Sequence, residues 1–197
     1  EFAVTYAGTT YTLDKPFFIL ATQNPIEQAG TFPLPEAQLD RFLLFIKIRY
    51  PSAEEERNIL ETTTGVNNTS VEKVIDGAKI LEAQKFVREV HISSDLIDIV
   101  NTTVRNTRPE QSPVKFVTDW VRWGAGPRAG QAMILTAKAS ALLQGNFSVT
   151  LDDIRKVALP VLRHRILMNF KAEAEGVTPD EVTEKVMAST TRRDKNL

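Results

Sequence analysis

A short apolar run near the start of the chain, FFILA at 17–21, most constrains the fold. A run of this length, rich in aromatic residues and preceded by Pro16, is typical of a strand that is buried on both faces of a sheet. Thr22, Gln23 and Asn24 follow it directly. In open α/β sheets, ligands bind beyond the carboxyl ends of the strands. The run therefore predicts a sheet strand with polar side chains at the ligand-binding edge.

More β-structure is predicted around this run. Residues 2–13 alternate around Ala7-Gly8, which is typical of a β-hairpin. A short helix is predicted over 35–41, and the apolar residues 43–48 predict a second buried strand. Two strands and a hairpin cannot cover both faces of a buried strand. We therefore expect the first fifty residues to be the remainder of a larger sheet, in the carboxyl-terminal part of a longer protein.

The chain is predicted to be helical almost throughout from Ser52 onward. Capping-box patterns at Ser52, Thr150 and Thr178 each predict a helix that starts at the next residue. Pro127 stands at the preferred first position of another helix, and Gly145 ends that helix. These patterns indicate a helical bundle.

A few stretches of the helical part have predictions of their own. Residues 108–117 contain two prolines and predict a loop, and the apolar residues within 116–123 predict a short amphipathic helix. The Arg-His-Arg cluster at 163–165 has the composition of a solvated basic surface. His91 lies between two aliphatic residues and is predicted to be packed.

Composition excludes several classes of function. The 197 residues have a net charge of −1 that is evenly distributed, so nucleic acid is not an expected partner. The absence of cysteine and the presence of only two histidines make a metal site improbable. No apolar run approaches the roughly 20 residues that a membrane helix needs, so membrane insertion is not expected. Nothing at the start resembles a signal peptide, and we expect a cytoplasmic protein.

Four segments, in this order, carry a resemblance to a known family. They are ATQNPIE at 21–27, PLPEAQLDRF at 33–42, GAGPRA at 124–129 and VLRHRI at 161–166. The first two resemble the sensor-1 strand and the arginine-finger helix of the MoxR family of AAA+ ATPases, and the last two resemble its lid domain. The resemblance implies an α/β fragment plus an all-α part: the end of an AAA+ P-loop NTPase core sheet in residues 1–50, then a helical lid bundle in residues 51–197. The hairpin is either an edge hairpin or one that faces the pore of a ring.

The resemblance also implies a function. The whole protein would couple Mg-ATP hydrolysis to the remodelling or maturation of partner proteins, including proteins with von Willebrand A domains. It would be a homo-oligomeric ring, expected to be a hexamer, whose active sites are each shared by two subunits. A metal-chelatase motor, a helicase-like AAA+ motor and a non-hydrolysing helical docking module are the alternatives.

The segments that bind ATP in this family are not found in the sequence. It contains no G-x-x-x-x-G-K-[ST] loop, and no apolar strand ends in adjacent acidic residues. In the family, both segments precede sensor 1. We therefore expect ATP and Mg²⁺ to be bound mainly by upstream segments, and we expect residues 1–197 alone to be inactive.

Asn24 and Arg41 each have two interpretations. An Asn before a proline is a common turn former, whereas the resemblance makes Asn24 the sensor-1 amide that holds the attacking water and the γ-phosphate in line. Arg41, at a helix carboxyl end, could pair with Asp40 or Glu36. The resemblance instead makes it the arginine finger that reaches the nucleotide of a neighbouring subunit, a task suited to a forked, permanently charged guanidinium.

Arg128 is predicted to lie in the first turn of a helix, where the macrodipole disfavours a cation. A residue placed against its local preference suggests an external anion. The resemblance makes Arg128 the sensor-2 arginine, which contacts the γ-phosphate from the lid. The alternative is a surface salt bridge to Asp119 or Glu110.

Overall fold

The computed structural model describes residues 2–23, 34–65 and 71–193. Their helices and strands are, along the chain, β1 (Ala3–Tyr6), β2 (Thr9–Thr12), α1 (Glu36–Leu39), α2 (Ala53–Thr63), α3 (Gly77–Glu89), α4 (Ser94–Asn106), α5 (Lys115–Trp120), β3 (Val121–Trp123), α6 (Pro127–Leu143), α7 (Leu151–Leu162), β4 (Leu167–Met168), α8 (Phe170–Glu175) and α9 (Pro179–Arg193).

The chain divides into two compact units, and each is built from two stretches of sequence. The first unit combines residues 1–19 with 46–83, and the second combines residues 20–45 with 84–197. The helix α1 and the turn after it therefore belong to the same unit as the carboxyl-terminal helices. The division of the whole protein into a core domain up to residue 50 and a lid domain from residue 51 stays a prediction.

The first unit contains the predicted hairpin. Strands β1 and β2 pair antiparallel, with Ala3 opposite Thr12 and Tyr6 opposite Thr9. Ala7 and Gly8 both have positive φ, as a two-residue hairpin turn of type I′ requires. None of the described residues of this unit is fully buried, so these residues form no core of their own.

The two predicted buried strands are not strands in this structure. Residues 17–21 and 43–48 pair with no strand of the described residues. Phe18 is 78% exposed and Ile48 is 92% exposed, which contradicts the predicted burial. Apolar runs indicate that a segment is suited to a sheet interior. Whether it is buried depends on neighbouring strands, which the described residues do not supply.

The second unit contains the hydrophobic core. Each fully buried aliphatic side chain contributes about 1.5–3 kcal/mol to folding. The largest of these come from α4 to α9 and the segments between them: Val100, Val117, Met133, Ile154, Val161, Leu162, Ile166, Val182 and Val186. No helix within the described part of the chain is both long enough and apolar enough to cross a membrane.

The helix starts and stops follow the sequence signals. The Thr150 hydroxyl accepts the amide of Asp153, whose carboxylate accepts the Thr150 amide in return, and Ser52 begins α2 with the same reciprocal pair. Pro127 is at the first turn of α6, and Gly145 follows it with φ of 79°. These predictions are confirmed because each depends on contacts within a few residues.

Two local predictions are wrong. The helix predicted over 116–123 ends at Trp120, because residues 121–123 form β3 and pair with β4 instead. The His91 side chain is exposed rather than packed. The backbone of His91 forms a parallel bridge to Ser148, which fixes the main chain while the ring stays in solvent.

Candidate functional site

Asp40 lies at the centre of a cluster of arginines. It follows α1 directly, and its side chain is 29% exposed. Its Oδ1 accepts a hydrogen bond from Nε of Arg165 at 3.0 Å, and its Oδ2 accepts one from Nη1 of Arg128 at 3.2 Å. One carboxylate therefore connects the end of α1 with two arginines of the helical bundle.

The Arg165 side chain is only 2% exposed, and its guanidinium is surrounded by hydrogen-bond acceptors. Besides Asp40 Oδ1, its guanidinium donates to the carbonyl oxygens of Asp40 (3.1 Å), Phe42 (2.6 Å), Leu43 (3.3 Å) and Val161. Burial lowers the pKa of Arg165, and the hydrogen bond to Asp40 and its charge oppose that shift. These acceptors offset the desolvation free energy that burying the guanidinium charge costs.

Arg163 and His164 also form hydrogen bonds with the segment that follows α1. Arg163 donates from Nε and Nη2 to the Asp180 carboxylate at 2.9 and 3.0 Å, and from Nη1 to the Phe45 carbonyl at 2.9 Å. His164 Nε2 donates to the Phe42 carbonyl at 3.1 Å, and its ring stacks on Phe45. We call residues 163–165, with the carbonyls of 40–45 that they bind, the Arg-His-Arg clamp.

The clamp corrects the prediction of a solvated basic surface at 163–165. The side chains are half-buried or buried, and they donate hydrogen bonds to a segment that pairs with no strand in the described part of the chain. The amide of Phe45 is also bonded, to the carbonyl of Pro160 at 2.8 Å. Hydrogen bonds from residues 160–165 thus take the place of a strand ladder along residues 43–45. Composition alone does not distinguish such donors from surface charges.

The surroundings of His164 disfavour its protonated form and lower its pKa. Burial, and then the charge of Arg165, lower the pKa of His164, while the hydrogen bond to the Phe42 carbonyl raises it less strongly. Its Nδ1 is buried, and no described residue forms a hydrogen bond with it. A second proton would therefore create a buried donor without a described acceptor, next to Arg165.

Arg128 lies in the first turn of α6, as predicted, and it is 58% exposed. Its described ion-pair partner is Asp40, 88 residues away, rather than Asp119 or Glu110. Asp119 pairs with Lys115 at 2.7 Å. Glu110 and Asp119 are closer to Arg128 in sequence, but the fold brings Asp40 to it instead.

The loop before Arg128 is held by the two residues that follow α4. The Thr107 hydroxyl accepts the Ala125 amide at 2.9 Å, and Arg108 Nε donates to the Ala125 carbonyl at 3.0 Å. At Gly124 an added Cβ would lie 2.4 Å from the Thr107 carbonyl oxygen. Only glycine therefore fits there, and the start of α6 is fixed in position. Neither Thr107 nor Arg108 was expected from the sequence to support the site.

Arg41 is exposed and directly follows Asp40. The two partners predicted for it are engaged elsewhere: Asp40 with Arg165 and Arg128, and Glu36 with Arg122 at 2.9 Å. Within residues 2–23, 34–65 and 71–193, no carboxylate forms an ion pair with Arg41. Asn24 lies outside the described residues, so the structure gives no geometry for it.

Two family models match the chain. The model of the ATPase family associated with various cellular activities (AAA) matches residues 1–44, and the model of the AAA lid domain matches residues 117–186. The first match contains Asn24 and Arg41, and the second contains Arg128 and the arginines of the clamp. Both parts of the expected architecture are thus present in the expected order.

Curated relatives and a solved structure give the family more closely. The chain is 38% identical to Chaperone MoxR1 of Mycobacterium tuberculosis over 93% of its length, covering 49% of that protein. The chain belongs to the MoxR family of AAA ATPases. It is also 35% identical to YeaC of Bacillus subtilis, over 96% of this chain and 57% of YeaC. A crystal structure from Cytophaga hutchinsonii, described as a "putative ATPase", matches with a TM-score of 0.88 and 37% identity over 95% of this chain and 57% of that one.

The family membership explains the fold. The chain has the end of an AAA core followed by a helical lid, and its helical second unit contains the whole lid match. The chain spans about half the length of the curated MoxR relatives that it matches.

Proposed function

We propose that the whole protein is a ring-forming ATPase that uses the hydrolysis of Mg-ATP to remodel partner proteins in the cytoplasm. The name of the relative from M. tuberculosis, a chaperone, supports the remodelling, and the AAA family models support the use of ATP. A hexameric ring and client proteins with von Willebrand A domains complete the proposal. Bound Mg²⁺ would neutralise the phosphate charge that develops during transfer.

The observation that carries this proposal is the position of Arg128. The Arg128 side of its ion pair with Asp40 is 58% exposed, and pairs open to solvent are worth about 0–1 kcal/mol. The first turn of α6 disfavours a cation but favours an anion. A phosphate group has more negative charge than one carboxylate, so it can compete with Asp40 for the Arg128 guanidinium. This behaviour is what a γ-phosphate sensor on the lid requires.

Arg41 has a complementary role in the proposal. Its guanidinium is exposed, while the backbone on both sides of it is held, by Arg165 at Asp40 and at Phe42. A free charge on a fixed turn suits insertion into the active site of a neighbouring subunit, where it would stabilise transition-state charge. Asn24 would hold the attacking water in line with the γ-phosphate.

A subunit-mixing experiment on the full-length protein tests this function. We expect Arg41→Ala to lower ATP turnover by about 10³–10⁵-fold while ATP still binds, because the finger acts on transition-state charge. Mixing this variant with a variant that lacks the phosphate-loop lysine should restore part of the activity. In such mixed rings, some interfaces join an intact phosphate loop to an intact Arg41.

The controls separate the alternatives. Each variant alone should remain inactive, and subunit exchange is confirmed with two differently labelled proteins. No recovery in rings that exchange subunits would mean that Arg41 does not act across a subunit boundary. If the unmodified full-length protein hydrolyses no ATP, a non-hydrolysing helical docking module becomes the better description.

A further inference from the structure

We propose that Arg165 is a positioning residue that makes the turn at residues 40–42 move with the lid. This turn contains Arg41, and we call it the finger turn. Its guanidinium would transmit the orientation of α7 to the residues on either side of the finger. The inference rests on the proposed function, because it assigns Arg165 a role only if Arg41 acts on a nucleotide. Arg165 lies in the 161–166 segment that resembles the family's lid, but the resemblance assigns it no role.

The contacts of Arg165 are concentrated around Arg41. The guanidinium binds the Asp40 side chain, the Asp40 carbonyl and the Phe42 carbonyl, which flank Arg41 in sequence. It also binds the carbonyl of Val161, in the last turn of α7. One planar, rigid group therefore bridges the lid helix and the finger turn. A lysine, with three donors on a flexible stem, cannot occupy all these acceptors in the same geometry.

The division of the chain into units supports the same connection. Residues 20–45 belong to the compact unit that contains the lid, whereas residues 46–83 do not. The finger turn lies next to the apolar run 43–48, which pairs with no described strand. The Arg-His-Arg clamp thus attaches this turn to the lid.

Asp40 places the phosphate sensor in the same network. Its Oδ2 pairs with the exposed Arg128, and its Oδ1 pairs with the buried Arg165. Departure of Arg128 toward a phosphate would leave the contact with Arg165 in place. The finger turn would then stay on α7 while the sensor changes partners, so that a lid movement caused by nucleotide carries Arg41 with it.

Hydrogen exchange in the full-length protein tests the attachment without using activity. We expect Arg165→Lys to increase the exchange of the Phe45 amide, which donates to the Pro160 carbonyl at 2.8 Å. The matched control is Asp153→Asn, at the other end of α7. Asp153 is buried and binds Ser140, Gln144 and Thr150, with no described contact to residues 40–45. Even if Asp153→Asn lowers the melting temperature as much as Arg165→Lys does, the Phe45 amide should remain protected from exchange in the control.

Turnover tests the consequence for the finger. A finger misplaced by about 1 Å can cost about a hundredfold in rate. We expect a loss of this order in kcat for Arg165→Lys, with little change in KM for ATP, because binding does not need the finger. Mixing Arg165→Lys with the phosphate-loop lysine variant should restore activity, as for Arg41→Ala. The Asp153→Asn control should keep its kcat.

The outcomes distinguish this inference from the proposed function. If Arg41→Ala loses turnover while Arg165→Lys keeps both kcat and the protection of Phe45, the function stands and the positioning role is overturned. If Arg165→Lys loses turnover without recovery in mixed rings, its effect is on its own active site, and the inference is again wrong. If Arg41→Ala keeps full turnover, the proposed function fails, and this inference fails with it.

Discussion

Asp40 and Arg165 form an ion pair across 125 residues of sequence, with Nε of Arg165 3.0 Å from Oδ1 of Asp40. The arginine is buried and the aspartate is partly exposed. The pair joins the residue before Arg41 to the end of α7, and its second carboxylate oxygen is left to Arg128. The stability of the lid and the placement of both candidate phosphate-binding arginines therefore depend on one carboxylate.

Asp40→Asn should destabilise the second unit. The substitution keeps the shape but removes the counter-charge of a buried guanidinium, and we expect a loss of about 1–3 kcal/mol in the free energy of unfolding. Urea denaturation measures it. The control is Glu36→Gln, whose pair with Arg122 is more than half exposed on both sides and should change stability by less than about 1 kcal/mol. Equal effects of the two substitutions would show that Arg165 does not need Asp40.

The stability of the lid should fall as the pH drops below the ordinary pKa of histidine, about 6.5. The pKa of His164 is lowered in the folded protein, so the unfolded chain takes up a proton first, and folding loses free energy as the pH falls toward the folded value. His164→Gln should flatten this dependence between about pH 7 and about pH 5, a range above the ordinary pKa values of the carboxyl groups.

His91→Gln is the matched control for this measurement, because the His91 side chain is exposed. Denaturation at a series of pH values should give the parent slope for His91→Gln and a smaller slope for His164→Gln. The same slope in both variants would place the pH dependence elsewhere in the protein.

Gly124→Ala should disturb the start of α6. The new Cβ would lie 2.4 Å from the Thr107 carbonyl oxygen, so the backbone must shift, at about 1–3 kcal/mol. Gly126→Ala is the control, since nothing lies within 4 Å of its added Cβ. Thermal melts should show a clear loss for the first substitution and little change for the second. A Gly124→Ala protein as stable as its parent would mean that the loop can move away from Thr107.

Arg128→Ala in the full-length protein should lower ATP turnover, with a modest effect on oligomer formation, because the side chain is proposed to bind phosphate rather than a subunit. Arg122→Ala is the control: that arginine is also exposed and is also paired with a carboxylate, that of Glu36 in α1. Steady-state hydrolysis and sedimentation measure the two properties. Normal turnover in Arg128→Ala would leave Arg128 with only its salt bridge to Asp40.

The sequence by itself determined the local features of this protein. The capping boxes at Ser52, Thr150 and Thr178, the proline that starts α6 and the glycine that ends it all act within about four residues, so their effect can be predicted from spacing. The order of the family motifs also led to the AAA architecture that the comparisons confirmed.

Only the tertiary structure decided which charges meet. Arg128 bound Asp40 rather than a carboxylate nearer in sequence, and Arg165 became a buried donor to the turn around Arg41 rather than a surface cation. The physical reason is distance along the chain. Ion pairs over 88 and 125 residues form only after the helices pack. Whether a guanidinium is buried or stays in solvent depends on the hydrogen-bond acceptors around it. Here most of those acceptors come from distant parts of the sequence, so no local pattern contains them.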